Sequence, residues 1–221
     1  MPDKTKIKIT DTTLRDGLQS PGCNLDIEKK SKILDHLIKL NVDVIELGFP
    51  ASSNQDLQDV KDLITYTNKI KPNNSPILMV LSRCKRSDIL KSYQSLENAK
   101  EKRLHLFIAT SDIHLKYKLK ITRDKLKEII IDSFSYAKSL DPNLTLSFGA
   151  EDATRTDVLF LSEIYSLVIE LGVSILNISD TTGFLNPNEY CYLIRSLKNN
   201  VKNIDKVELS SHCHNDLGLA V

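Results

Sequence analysis

Residues 42–81, VDVIELGFPASSNQDLQDVKDLITYTNKIKPNNSPILMVL, contain one complete copy of the pattern that decides the fold class. Short apolar runs at Val42–Gly48 and Pro76–Leu81 are rich in Ile, Val and Leu, as is typical of strands buried in a parallel sheet. Between these runs, Gln55–Thr67 repeats its apolar residues at the helical period. The segment therefore predicts a β-strand, a crossover helix and a second, parallel β-strand.

The same pattern recurs along the rest of the chain. Strands are predicted at Lys6–Thr12, Val42–Gly48, Pro76–Leu81, Leu104–Ala109, Leu144–Phe148, Ile175–Ile178 and Val207–Ser211. Helices are predicted at Ile27–Leu40, Gln55–Thr67, Ser87–Ala99, Arg123–Ser139, Val158–Leu171 and Pro187–Asn200. Successive strands begin about 33 residues apart, the length of one βαβ unit, so the fold class is α/β. The periodicity leaves two alternatives, an open doubly wound sheet or a TIM (β/α)8 barrel with only about seven of its eight βα units in this chain.

The composition excludes several classes of protein. Thirty basic and 29 acidic residues give a net charge of +1, so no net field draws the chain to nucleic acid or to an anionic membrane. No apolar run approaches the roughly 18 residues of a membrane span, and Met1–Thr10 lacks the apolar core of a signal peptide. The four cysteines form no CxxC pair, which predicts reduced thiols in a cytoplasmic protein. Neither a GxGxxG motif, a Walker loop nor a GxSxG elbow is present.

The strongest chemical signal is the pair His212 and His214 at the end of the seventh predicted strand. Residues i and i+2 of a strand project to the same side, so two imidazoles can share one divalent cation such as Zn²⁺, Mn²⁺ or Mg²⁺. Asp16, after the first strand, is the candidate third ligand, whereas Asp11 inside that strand is expected to make a structural hydrogen bond to a neighbouring loop. The alternative is a pair of hydrogen-bonded histidines at a barrel mouth.

Arg15 precedes the candidate ligand Asp16 and has the shape to bind an anionic substrate. A guanidinium can bind a carboxylate in a fork or stabilise an enolate oxygen. The alternative is a surface arginine paired with Glu46 or Glu151. Those two carboxylates are candidates for acid/base steps or for orienting Arg15. The alternative is that they are only ion-pair partners.

Six motifs together resemble a known enzyme family. They are DTTLRDGLQSPG at 11–22, IELGFPASS at 45–53, HLFIATSDIH at 105–114, SFGAEDATRTD at 147–157, NISDTTGF at 177–184 and SHCHNDLGLAV at 211–221. In this order they are similar to the 2-isopropylmalate synthases, among the acyl-CoA-condensing TIM-barrel metalloenzymes. The resemblance covers nearly the whole chain, and GFPASS with HCHND favours these synthases over their relatives.

The resemblance implies a barrel over residues 1–221 that binds one divalent metal through Asp16, His212 and His214, with K⁺ as a candidate activator. It implies that Arg15 contacts the substrate and the developing negative charge, that Glu151 assists acid/base steps, and that Thr181 binds the 2-oxoacid carboxylate. Glu46 is included among the substrate-binding candidates. The implied reaction is a Claisen condensation of acetyl-CoA with 2-oxoisovalerate, giving 2-isopropylmalate and CoA, the first committed step of leucine synthesis.

The resemblance also carries expectations about the whole protein and leaves alternatives. The eighth strand, a linker subdomain and a C-terminal regulatory domain are expected to be absent from these residues, and a full-length enzyme is expected to be a homodimer. Leu18 stands where the synthases usually have an acidic residue and the related lyase has leucine. The alternatives are a citramalate or homocitrate synthase, a 3-hydroxy-3-methylglutaryl-CoA-type lyase, or an inactive truncated chain.

Overall fold

Strands and helices alternate along the chain in the computed structural model, which describes residues 7–71, 73 and 75–220. The strands are β1 (Thr10–Asp11), β2 (Val44–Glu46), β3 (Ile77–Arg83), β4 (Lys102–Ala109), β5 (Thr145–Glu151), β6 (Ile175–Asp180) and β7 (Glu208–Cys213). The helices are α1 (Ile27–Lys39), α2 (Asn54–Ile70), α3 (Arg86–Ser95), α4 (Asp112–His114), α5 (Arg123–Leu140), α6 (Val158–Glu170) and α7 (Pro187–Asn200). Each strand and helix expected from the sequence therefore has a counterpart, but the first strand, predicted over Lys6–Thr12, is formed only by Thr10–Asp11. Lys6 lies outside the described residues.

The strand order decides between the two predicted architectures. It is β1-β2-β3-β4-β5-β6-β7, the order of the sequence itself. The pairs β1–β2, β2–β3, β5–β6 and β6–β7 are parallel. A doubly wound sheet reverses its strand order at a switch point, whereas a barrel adds each βα unit beside the previous one. The fold is that of a TIM barrel with one βα unit fewer. This is one of the two alternatives that the periodicity left open, and the one that the resemblance implied.

Local side-chain signals set the helix ends. The side chain of Asn186 accepts hydrogen bonds from the first turn of α7, and Glu189 accepts one from the Asn186 backbone, which completes a capping box ahead of Pro187. Ser53 caps α2 and Thr122 caps α5, each by a side-chain oxygen that accepts one hydrogen bond from a backbone N–H of the first helical turn.

The segment after β4 carries lysines at positions 116, 118 and 120. Its alternating charged and apolar residues are typical of a solvated loop. The structure instead forms α4 followed by a single π-helical turn, Leu115–Leu119. Leu115 is buried there, so the segment is anchored in the core at one end.

The described chain divides into two compact units. The first comprises the described residues up to Ser82 together with Leu90–Leu104. The apolar face of α1 supplies Leu34 and Leu37 to its core. The largest fully buried aliphatic side chains of this core are Leu34, Ile45, Leu63, Ile64, Leu78, Leu96 and Leu104.

The second unit comprises Arg83–Ile89 and the described residues from His105 onward. Phe148 of β5 lies at its centre, with ring centroids 6.0 Å from Phe134 and 6.4 Å from Tyr165. Since side chains alternate along a strand, the neighbours of Phe148 face the other way and are small or polar. There Ser147 Oγ lies 2.8 Å from Nδ1 of the buried His105. A β-carbon at Gly149 would lie 2.8 Å from Nε2 of that histidine, so a side chain at this position would displace the imidazole.

Within the described residues, no helix combines the length and the apolar character needed to cross a bilayer.

Candidate functional site

The turn after β1 is built by its own side chains. Asp11 accepts hydrogen bonds from the backbone N–H and the hydroxyl of Thr13, at 2.9 and 3.1 Å, the arrangement of an Asx turn. Three successive N–H groups, from Arg15 to Gly17, point at the carbonyl of Thr12. Leu14 is buried and anchors the turn in the core. Asp11 thus has a structural role, as expected, but its partners lie in its own turn and not in a neighbouring loop. The turn presents Arg15 and Asp16 beyond the strand end.

Arg15 is held between two carboxylates in the first unit. Its Nε donates to Oε2 of Glu46 at 2.7 Å, and Nη1 donates to Oδ2 of Asp16 at 2.9 Å. The side chains are 14% exposed for Arg15, 17% for Asp16 and 1% for Glu46. Burial at this level strengthens charge-assisted hydrogen bonds, since little water competes for them. The arginine is therefore a part-buried, oriented cation rather than a mobile surface side chain.

A cavity of about 300 Å³ adjoins this arginine in the same unit. Leu18, Leu47 and Phe49 contribute apolar walls, and Lys30 and Asp59 contribute a polar edge. Lys30 Nζ donates to Asp59 Oδ2 at 2.5 Å, so the two charges at this edge are paired. Leu18, the residue by which the sequence departs from the synthase pattern, thus lines a cavity beside Arg15.

The two predicted histidine ligands lie side by side in the second unit. His212 is in β7 opposite Ser179 of β6, and His214 follows directly after the strand end. Their ring centroids are 5.4 Å apart with the ring planes at 78°. The N–H of His214 donates to the carbonyl of Asp180 at 3.1 Å, which extends the β6–β7 pairing past the strand end. Both imidazoles therefore project on one side of β7, as the alternation of a strand requires.

Cys213, between the two histidines, has a different environment. Its thiol hydrogen-bonds Tyr190 of α7, and burial raises the pKa of the thiol. Burial also raises the pKa of Tyr190, whose hydroxyl donates to the carbonyl of Ile178 at 2.8 Å. Both groups remain protonated at neutral pH and tie α7 to strands β6 and β7.

Glu151, at the end of β5, is paired with a lysine from the helical segment after β4. Lys118 Nζ lies 2.6 Å and 2.9 Å from the two carboxylate oxygens. The Glu151 side chain is 21% exposed and that of Lys118 is 50% exposed. The Glu151 carboxylate thus has a proton-carrying partner and also reaches solvent.

Asp152, to which the sequence pattern assigns no role, joins the loops after β4, β5 and β6. Its fully buried carboxylate accepts hydrogen bonds from Ser111 at 2.5 Å, His114 at 3.0 Å and Arg155 at 2.7 Å. Its N–H donates to the hydroxyl oxygen of Thr181 at 2.9 Å. The backbone of Asp152 is left-handed, with φ +65°. That conformation is uncommon outside glycine and cannot be read from residue types, so the sequence offers no signal of this arrangement.

Each unit thus brings together part of the residues singled out from the sequence. Arg15, Asp16 and Glu46 form one hydrogen-bonded group in the first unit. In the second, His212 and His214 are neighbours. Glu151 directly precedes Asp152 in the chain, and the hydroxyl of Thr181 accepts a hydrogen bond from the N–H of Asp152. The groups present are a cation, carboxylates, a hydroxyl and imidazoles, which suit metal binding and the recognition of an anionic substrate.

Curated proteins similar to this chain are 2-isopropylmalate synthases. The 2-isopropylmalate synthase 1 of Caldanaerobacter subterraneus subsp. tengcongensis is 47% identical over 216 residues, which cover 98% of this chain and 52% of that protein. The 2-isopropylmalate synthase of Pyrococcus furiosus is 45% identical over 216 residues, covering 98% of this chain and 42% of the relative. The chain spans about half the length, or less, of these relatives.

Solved structures agree on the fold. A hydroxymethylglutaryl-CoA lyase from Pseudomonas aeruginosa superposes with a TM-score of 0.75 at 16% identity, over 97% of this chain and 70% of that one. The HMG-CoA lyase from Brucella melitensis superposes with a TM-score of 0.76 at 16% identity, over 97% of this chain and 74% of that one.

A family model that matches the amino-acid sequence of the chain gives the family assignment. The model of the family described as HMGL-like matches residues 6–221, a range that includes all six of the quoted motifs. Because this match extends over almost the entire sequence, the chain belongs to the HMGL-like family.

Proposed function

We propose that this chain is the barrel part of a 2-isopropylmalate synthase, which condenses acetyl-CoA with 2-oxoisovalerate to give 2-isopropylmalate and CoA. The observation that carries the proposal is the oriented, part-buried Arg15 between Glu46 and Asp16. An anionic 2-oxoacid needs a fixed cation of this kind. The 47% identity to a 2-isopropylmalate synthase over 98% of the chain supports this substrate pair.

Asp16, His212 and His214 are proposed to bind one divalent cation. One carboxylate and two imidazoles form a donor set suited to Zn²⁺ or Mn²⁺, and Mg²⁺ is a further candidate. The pairing of the two histidines on one side of β7 fits such a role, since both rings already face the same side of the strand. When bound, the cation supplies Lewis acidity that polarises the keto group of the 2-oxoacid. K⁺ is proposed as an activator by resemblance alone.

Arg15 is proposed to bind the 2-oxoacid and the negative charge that develops on its keto oxygen. The hydrogen bonds from Nε to Glu46 and from Nη1 to Asp16 fix the plane of the guanidinium. A donor that is already oriented needs no reorganisation when charge develops, which is the source of most such rate enhancement. Glu46 is proposed to act through Arg15, by holding it.

Thr181 and Glu151 are proposed to complete the chemistry. The Thr181 hydroxyl accepts from the Asp152 N–H, so its own proton is directed away from Asp152 and can be donated to the 2-oxoacid carboxylate. Glu151 is proposed to assist proton transfer, with Lys118 as the proton-carrying neighbour. In the reaction, a base takes a methyl proton from acetyl-CoA, and the enolate carbon bonds to the keto carbon as the C=O π bond opens to an alkoxide. The alkoxide takes up a proton, and water cleaves the thioester C–S bond, which leaves a carboxylate and the CoA thiol.

The setting proposed for this enzyme is the cytoplasm, with acetyl-CoA and 2-oxoisovalerate as small-molecule substrates and a homodimer as the assembled form. The four cysteines support a reducing compartment, since none forms a disulfide in the structure. Residues 1–221 are proposed to form one catalytic barrel domain.

One residue favours a second candidate function, a lyase that cleaves a related acyl-CoA. Leu18 matches the lyase pattern and lines the cavity beside Arg15. An apolar residue at that place removes a carboxylate that the synthases have near the substrate.

Measurement of CoA release separates these functions. The chain is incubated with acetyl-CoA, a divalent metal and one of 2-oxoisovalerate, pyruvate or 2-oxoglutarate, and free thiol is measured. Release with 2-oxoisovalerate supports the proposal, and release only with pyruvate or 2-oxoglutarate contradicts the substrate assignment. Cleavage of 3-hydroxy-3-methylglutaryl-CoA without condensation establishes the lyase, and inactivity in every assay contradicts catalysis by this chain.

A further inference from the structure

We infer that Gly183 is a positioning residue for the second histidine of the proposed metal site, and this inference rests on the proposed function. Gly183 follows β6 in the segment Asp180-Thr181-Thr182-Gly183 and is buried. It lies in the left-handed region, with φ +57°. The loop that carries His214 packs directly against it.

The contact is too close for any side chain. A β-carbon at Gly183 would lie 2.7 Å from Oδ2 of Asp216, 2.8 Å from the carbonyl oxygen of His214 and 2.9 Å from the N–H nitrogen of Asp216. Two of these three atoms belong to the backbone, so turning one side chain cannot relieve the clash. The loop from His214 to Asp216 would have to move away from β6.

One carbonyl oxygen links the two loops. The oxygen of Asp180 accepts from the N–H of Gly183 at 3.2 Å and from the N–H of His214 at 3.1 Å. The side chain of Asp180 is fixed as well, since it accepts from Thr154 Oγ1 at 2.9 Å and from Leu185 N at 3.0 Å. These hydrogen bonds tie the turn that contains Gly183 to the end of β6, so we expect the loop from His214 to Asp216 to move and the turn to stay.

Displacement of this loop moves the His214 imidazole relative to that of His212. His212 lies in β7 and is paired with Ser179 of β6. We expect it to keep its position, so the separation of the two rings changes. Metal affinity depends steeply on ligand placement, and loss of a group that orients a ligand typically costs about 10- to 100-fold. The absence of a side chain at Gly183 thus helps to place His214 in the proposed metal site, although Gly183 itself supplies no ligand atom.

The test compares Gly183→Ala with Gly172→Ala. Gly172 is also left-handed, with φ +87°, but a β-carbon there would meet only Lys138 Cε, at 3.9 Å. The two variants share the backbone strain and differ in the clash. The melting temperature and the affinity for Mn²⁺ and Zn²⁺, by calorimetry, are measured for both, together with the histidine ring resonances of the metal-free proteins.

Gly183→Ala is expected to lower metal affinity at least about tenfold and to shift the His214 ring resonances, whereas Gly172→Ala lowers the melting temperature alone. Equal metal affinity and unchanged resonances in Gly183→Ala would overturn the inference. If the wild-type chain binds no divalent metal, the metal assignment fails, and the resonances alone then decide the positioning role. If Gly183→Ala does not fold, Thr154→Val removes one bond to Asp180 with little change of volume. Its expected affinity loss is about two- to fivefold, and no loss would contradict the inference.

Discussion

The carboxylate of Glu46, 1% exposed, accepts a hydrogen bond from Nε of Arg15 at 2.7 Å. This bond helps to fix the plane of the guanidinium, and Glu46→Gln preserves the shape of the side chain while removing its charge. We expect kcat to fall about 10- to 100-fold. This corresponds to a loss of about 1–3 kcal/mol of transition-state stabilisation when the charge-assisted bond to Arg15 is weakened. Steady-state rates with 2-oxoisovalerate measure the effect. A kcat equal to wild type would contradict the orienting role.

Arg15→Lys tests the guanidinium itself. An ammonium keeps the charge but cannot donate to Glu46, Asp16 and a substrate oxygen in one plane. We expect a rate about 100- to 1,000-fold lower, as for loss of one oriented donor, with bound metal unchanged. Metal analysis of the purified variant accompanies the kinetics, and turnover close to wild type would remove Arg15 from the mechanism.

The sequence predicted the elements of this fold better than the details of the site. All seven strands and six long helices follow from periodicity, because buried strands and amphipathic helices differ in pattern. The pairing of Arg15 with Glu46 is one of several that the sequence leaves open, since the partner of a charged side chain depends on loop geometry. Asp152 has no sequence signal, because its role arises from a left-handed backbone and three partners that converge on its carboxylate.

Removal of a proposed ligand should remove the metal. We expect purified Asp16→Ala and His212→Ala to contain little or no divalent cation, because loss of one donor leaves only two of the three proposed protein ligands. His36→Ala is the matched control, since His36 is an exposed histidine on α1. Metal content equal to wild type in either ligand variant would contradict the ligand assignment.

The four thiols should differ in reactivity toward an alkylating reagent. Burial raises the pKa of Cys84 to about 12, whereas Cys23 and Cys191 are exposed. A raised pKa reduces the thiolate fraction at about pH 8, and only the thiolate reacts. We expect Cys23 and Cys191 to be alkylated first and Cys84 only after unfolding. Mass spectrometry of peptides against time checks this order, and early modification of Cys84 in the folded protein would contradict its burial.

Asp152→Asn should lower both stability and substrate affinity. The buried carboxylate accepts from Ser111, His114 and Arg155, and an amide can accept at only one of its two terminal atoms. We expect the free energy of unfolding to fall by about 1–3 kcal/mol.

The Asp152 N–H also holds the Thr181 hydroxyl, so a shifted loop should raise KM for 2-oxoisovalerate more than it lowers kcat. Asp112→Asn is the control, because its ion pair with Arg123 is on the surface and contributes at most about 1 kcal/mol. Chemical denaturation and kinetics of both variants measure the difference. If Asp152→Asn lost no more stability than Asp112→Asn and kept its KM, the proposed connection from Asp152 to substrate binding by the Thr181 hydroxyl would be wrong.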